Sequence, residues 1–155
     1  PFTHHALLFT VFTLYSICHL PIVHSTFKRD MCITNRKWRK AMQKIFLNAK
    51  IHRATITDKN LEYEGSITID PVLTKAVGIE EGEMVQVVNL NNGTRFETYV
   101  INGEENSGII SLNGAAARLG EIGDKVIIMA YAIFDANEKH DAKIVIVDSK
   151  NKIIK

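Results

Sequence analysis

The rhythm of apolar and polar positions changes several times along the chain, and each rhythm predicts an element. Ile45–Ile56 alternates loosely and ends rich in β-branched residues, which predicts a strand turning at Asp58-Lys59-Asn60. Ser66–Ile69 reads as a second, short strand. Asp70-Pro71 then opens a helix over Val72–Val77, with Asp capping free N–H groups, Pro in the first turn and Gly78 as the stop. Met84–Leu90 and Arg95–Ile101 read as strands about Asn91-Asn92-Gly93, a hairpin signal. Turns at Asn102-Gly103 and Gly108 precede a strand over Ile109–Leu112, and Asn113–Arg118 predicts a tight turn feeding a short helix. Gly123-Asp124 introduces a long apolar strand, Lys125–Phe134, and Ala142–Asp148 is the last. Many short strands, glycine turns and two short helices predict a small, mainly β barrel.

Composition divides the chain in two. Its 155 residues suit one domain, and 46% hydrophobic with 23% charged residues is ordinary for a globular protein. The net charge of +2 conceals a split: residues 1–41 hold six Lys/Arg against Asp30 alone, and the remainder holds 13 basic against 16 acidic residues. The pI near 8.7 therefore carries no nucleic-acid signal. Both cysteines (Cys18, Cys32), Trp38 and four of the six histidines precede Met42, whereas all nine glycines follow it. A domain of short strands needs glycine turns, so the folded domain is expected at 42–155. Without cysteine, that stretch needs neither a disulfide nor a thiolate metal site, which fits a reducing cytoplasm. Its only histidines are His52 and His140, so no metal cluster is read.

Residues 1–41 read as a leader outside the native fold. Ala6–Val23 is apolar, but no Lys or Arg precedes it and no small-x-small cleavage site follows, against a signal peptide. It is short for a spanning helix and contains His19 and Pro21, so no membrane partner is expected. The favoured reading is translated upstream sequence. Trp38-Arg39-Lys40 can be encoded by a purine-rich ribosome-binding sequence just ahead of the Met42 codon.

The candidate chemistry centres on Glu62-Tyr63-Glu64-Gly65-Ser66 at the mouth of a strand. A Ser hydroxyl after Gly can attack the preceding carbonyl, since Gly tolerates the strained backbone this needs. The resulting ester can eliminate and hydrolyse to a pyruvoyl group, an electron sink made from the chain itself. Taken alone, Gly-Ser is an ordinary turn dipeptide. Its company changes the balance. Lys50 and His52 are two apart and share one strand face; Arg95, Glu97 and Tyr99 share a face opposite Phe96 and Thr98. Solvated or ordinary strand patterning explains either group singly. Asn113-Gly114-Ala115-Ala116 offers backbone N–H groups suited to a carboxylate, or simply a helix cap.

Together, Lys50-x-His52, Tyr63-Glu64-Gly65-Ser66, Asn92-Gly93-x-Arg95-Phe96-x-Thr98-Tyr99 and Ile110-Ser111-x-Asn113-Gly114-Ala115-Ala116 resemble the aspartate 1-decarboxylase family over essentially all of 42–155. These are small pyruvoyl enzymes that make β-alanine for pantothenate and coenzyme A synthesis. The resemblance implies a six-stranded double-psi β-barrel with short helices, and a homotetramer with sites between subunits. It implies self-cleavage into a β chain, 42–65, and an α chain, 66–155, unaided or with an accessory activation factor. It implies that Ser66 becomes the pyruvoyl group and forms a Schiff base with L-aspartate, and that Tyr99 donates the proton after CO₂ leaves. By the same resemblance, Arg95 and Lys50 hold carboxylates, Thr98 contacts substrate and steadies the cleavage intermediate, and backbone at Gly114, Ala115 and Ala116 contacts substrate. His52, Tyr63 and Asn113 line the pocket in support. Two alternatives stay open at this point: an N-terminal-nucleophile hydrolase in which Ser66 remains a serine, and a non-enzymatic double-psi binding module.

Overall fold

Met84–Asn89 (β4) illustrates how alternation becomes a sheet: Val85, Val87 and Asn89 are buried, while Met84 is exposed and Gln86 and Val88 are half-buried. The computed structural model describes residues 42–155, so the expectations for the leader lie outside the described residues. The other strands are β1 (Gln43–Thr55), β2 (Asp58–Asn60), β3 (Ser66–Ile69), β5 (Arg95–Asn102), β6 (Ile110–Asn113), β7 (Lys125–Asp135) and β8 (Lys143–Ile146). They pair in the order β2-β6-β3-β5-β4-β7-β1-β8. Parallel pairs β1–β8, β2–β6 and β3–β5 interrupt an otherwise antiparallel sheet. The mainly β expectation holds, with mixed pairing in the sheet. Eight strands form rather than six, because two short ones, β2 and β8, end the order and leave six between them.

The inward side chains are mostly branched aliphatics. Ile51, Ile67, Ile69, Leu73, Val85, Val87, Val100, Ile110, Leu112 and Ile128 are fully buried, each worth about 1.5–3 kcal/mol relative to exposure. The helix α1 (Pro71–Val77) forms as its sequence dictates: the Asp70 carboxylate accepts from Val72 N, and Gly78 closes it at φ 75°.

Asp58-Lys59-Asn60 is not the turn expected. It pairs with β6 as β2, registering Asp58 with Ser111 and Asn60 with Asn113. Two long-range bonds prepare this pairing: Thr57 N donates to Ile110 O (2.8 Å) and Ile110 N to Thr57 Oγ1 (2.9 Å). The chain turns instead over Leu61–Gly65, entered where Glu62 N donates to Asn60 Oδ1. The segment before the candidate serine is therefore a loop held at one end by β2 and at the other by β3.

Candidate active site

Ser66 is the first residue of β3 and is 1% exposed. Its neighbour Ile67 registers with Val100 on β5 and Leu112 on β6, so Ser66 enters the sheet between the strand carrying Tyr99 and the strand ending at Asn113. The bond before it lies between two positive-φ residues, Gly65 at φ 102°, which glycine tolerates, and Ser66 at φ 147°, which is strained. For a residue with a Cβ, such backbone costs about 1–3 kcal/mol and persists only where surroundings impose it.

Asn113 is part of that surrounding. Its buried Nδ2 donates to Ser66 Oγ (2.8 Å) and to Thr68 Oγ1 (2.9 Å). The side chain makes no capping bond to the 3-10 helix that follows, Gly114–Arg118, so of the two readings of Asn113 the cap is not realised. Thr68 escaped the sequence reading, although its spacing of two from Ser66 on one strand was a usable signal. Ser111 Oγ links the pair outward, lying 3.4 Å from Asn113 Oδ1 and 3.2 Å from Asp58 Oδ2.

An open cleft lies over this point. It is lined by Gly65, Ser66, Thr98, Tyr99, Asn113, Ala115 and Ala116, all named from the sequence. Glu64, Phe96, Glu97 and Leu119 complete it, none with a positive charge. The hairpin supplying β5 is tied to the 3-10 helix at a single carbonyl. Leu119 O accepts from Asn92 Nδ2 (3.0 Å), Thr94 Oγ1 (3.0 Å) and Asn89 Nδ2 (3.3 Å). Through this bond Asn92 fixes the two walls of the cleft relative to each other.

Lys50, His52 and Arg95 are not brought to this cleft. In the cross-strand register Lys50 faces Met129, Gln86 and Glu97, and His52 faces Ile127, Val88 and Arg95. Three strand spacings separate His52 from Arg95, roughly 14 Å. Register shifts between Leu47 and Ala49 and between His52 and Ala54 bracket the Lys50–His52 segment, with Arg53 at φ 66°. Arg95 donates from Nη1 to Gln86 Oε1 (2.7 Å), which also accepts from Tyr131 Oη (3.2 Å). Burial, then the charges of Lys50 and Arg53, lower the His52 pKa, so its imidazole is neutral at neutral pH. Its buried Nδ1 has no hydrogen-bond partner among the described residues. Tyr63, exposed on the loop, does not line the cleft.

The fold and site define a class: a mainly β protein whose cleft is built around its own strained Gly–Ser bond. Comparison with known proteins agrees. A family model described as aspartate decarboxylase matches residues 42–154. An aspartate 1-decarboxylase of Kosmotoga olearia is 65% identical over 113 residues, covering 73% of this chain and 98% of the relative. Those of Caldicellulosiruptor bescii and Listeria welshimeri are 62% and 55% identical, covering 70% and 72% of this chain and 87% and 90% of the relatives. Among solved structures, the computationally designed msDPBB_sym2 protein aligns at TM-score 0.34 and 18% identity, over 56% of this chain and 96% of its own. The chain belongs to the aspartate decarboxylase family.

Proposed function

We infer that this chain decarboxylates L-aspartate to β-alanine and CO₂, supplying pantothenate and coenzyme A synthesis, after cleaving itself between Gly65 and Ser66. The observation that carries this reading is the buried Ser66, itself in strained backbone after Gly65, on the floor of a cleft, with its Oγ held by Asn113. In the cleavage, Ser66 Oγ attacks the Gly65 carbonyl carbon, the C–N bond breaks and the nitrogen takes up a proton, leaving an ester. Loss of the Ser66 α-proton expels the Gly65 carboxylate with the Cβ–O electron pair. Water then replaces the nitrogen, released as ammonia, and a pyruvoyl ketone remains at position 66.

The surroundings fit that group. Asn113 Nδ2 is a donor already aimed at the position. A pyruvoyl group at position 66, held by Asn113, would supply an electron sink for decarboxylation. The chain's residues do the remainder. Tyr99 returns a proton to the substrate α-carbon, Thr98 contacts substrate, and backbone at Gly114, Ala115 and Ala116 borders it. Asn113 supports the site from within the cleft, whereas His52 and Tyr63, which lie off the cleft of one copy, serve as support only across the assembly with a second copy. A dicarboxylic substrate beside Glu64 and Glu97 needs cations, and among the described residues the cleft of one copy is lined by none. Arg95 and Lys50 supply them from a second copy in a homotetramer, where Arg geometry suits bidentate carboxylate binding. The sheet face bearing them also carries the exposed Ile45, Met84, Tyr131 and Ile133, an apolar surface suited to a second copy.

Residues 42–155 constitute the enzyme in this reading, with 1–41 outside it, and the setting is cytoplasmic. No helix among the described residues is long and apolar enough to cross a membrane. The test is incubation of the purified protein with L-aspartate. β-Alanine and CO₂ should form in equal amounts, and Ser66→Ala should form neither. Decarboxylation by an uncleavable chain would refute the reading.

A further inference from the structure

Strands β3 and β6 part where cleavage is expected. Their last registered pair is Ser66 with Asn113, so Gly65 and Gly114 are the next residues on either side. All three residues around the scissile bond in this arrangement, Gly65, Ser66 and Gly114, have positive φ. The two glycines are needed for different reasons. A Cβ on Gly65 would meet nothing within 4 Å, so backbone conformation alone requires glycine there. A Cβ on Gly114, at φ 58°, would lie 2.6 Å from Tyr63 O, 2.7 Å from Gly65 N and 2.8 Å from Gly65 Cα. These neighbours are backbone atoms and cannot swing aside. The Tyr63–Gly65 segment therefore rests directly on Gly114, while Asn113, one residue earlier, holds the attacking oxygen at 2.8 Å.

We propose that Gly114 is a positioning residue for the self-cleavage: its bare backbone is the floor that holds Tyr63–Gly65 in the strained path presenting the Gly65 carbonyl to Ser66 Oγ. This rests on the self-cleavage reading above and adds a role preceding any substrate contact by Gly114. Asn113 and Gly114 act as one clamp, the first on the nucleophile and the second on the chain carrying the electrophile. A Cβ at 114 lifts that chain while leaving the nucleophile in place. Misplacement on the scale of 1 Å costs about 10²-fold in rate.

The experiment follows cleavage of newly made chains in cell-free synthesis, by intact mass, for the wild type, Ser66→Ala, Gly114→Ala and Gly82→Ala. Gly82 has φ 81° but open space around its Cβ direction, so it imposes the conformational cost of alanine without a contact. Thermal unfolding of each chain reports the fold. The expected result is wild-type cleavage for Gly82→Ala, and cleavage about 10²-fold slower for Gly114→Ala with a cooperative unfolding transition retained. Wild-type cleavage in Gly114→Ala, equal slowing in Gly82→Ala, or loss of the cooperative transition in Gly114→Ala would each overturn the proposal, which requires a local displacement. A wild-type chain that never cleaves would instead refute the self-cleavage reading itself.

Discussion

At the scale of residues, the site depends on what each side chain is free to do. Tyr99 is half-exposed at the cleft, where its hydroxyl can reach a substrate. Tyr99→Phe keeps the ring and removes only the O–H, so, with Tyr99 as the proposed proton donor, the chain should still cleave while β-alanine formation falls by roughly 10²–10⁴. Mass spectrometry for cleavage and amino-acid analysis for product check the two halves. Normal β-alanine output from a cleaved Tyr99→Phe chain would remove it as proton donor. Ser66, Tyr99 and Asn113 were legible in the sequence because their motifs are contiguous. Thr68 was not singled out, and Glu97 was read only as sharing a face with Arg95 and Tyr99, since a lone Thr or Glu in a strand looks like ordinary patterning until Asn113 or the cleft is seen against it.

At the scale of elements, Asp70 shows local chemistry and long-range closure in one side chain. It caps α1 and also accepts from Asn106 N (3.1 Å) and Gly108 N (2.7 Å), closing the loop between β5 and β6. Burial acts to raise its pKa, but the N–H donors of Val72, Gly108 and Asn106 outweigh it and hold the carboxyl below its usual range. A depressed folded-state pKa gives stability that is present above the unfolded value and lost as pH falls through the folded one. Thermal melts should therefore decline below about pH 4, and Asp70→Ala should cost about 1–3 kcal/mol at neutral pH. A melting curve unchanged by that substitution would contradict the assignment. The cap, the proline and Gly78 made α1 readable from sequence. β2 was not readable, because Asp58-Lys59-Asn60 has turn chemistry and becomes a strand only through β6, some fifty residues away.

At the scale of the whole molecule, the separation of Arg95 and Lys50 from the cleft matters most. If a second copy supplies the cations, Arg95→Ala alone should cut kcat/KM about 30-fold to several thousand-fold. Co-expressing Arg95→Ala with Ser66→Ala should then recover activity, because mixed assemblies contain sites with Ser66 from one copy and Arg95 from the other. No recovery in isolated mixed assemblies would place both groups in the same copy. Strand patterning could not address whether one copy or two complete the site, because it reports the face a residue shares and not the copy it belongs to. Chains consisting of residues 42–155 should assemble and turn over aspartate as the 155-residue chain does, and aggregation of the shorter chain alone would assign residues 1–41 to the working protein. All of these effects presuppose the cleaved bond, so the most direct measurement is the intact mass of active protein under denaturing conditions. The account predicts two chains divided between Gly65 and Ser66, the larger lighter by one ammonia than a chain beginning with a serine amine. A single continuous chain in fully active protein, or a free serine amine at residue 66, would contradict it.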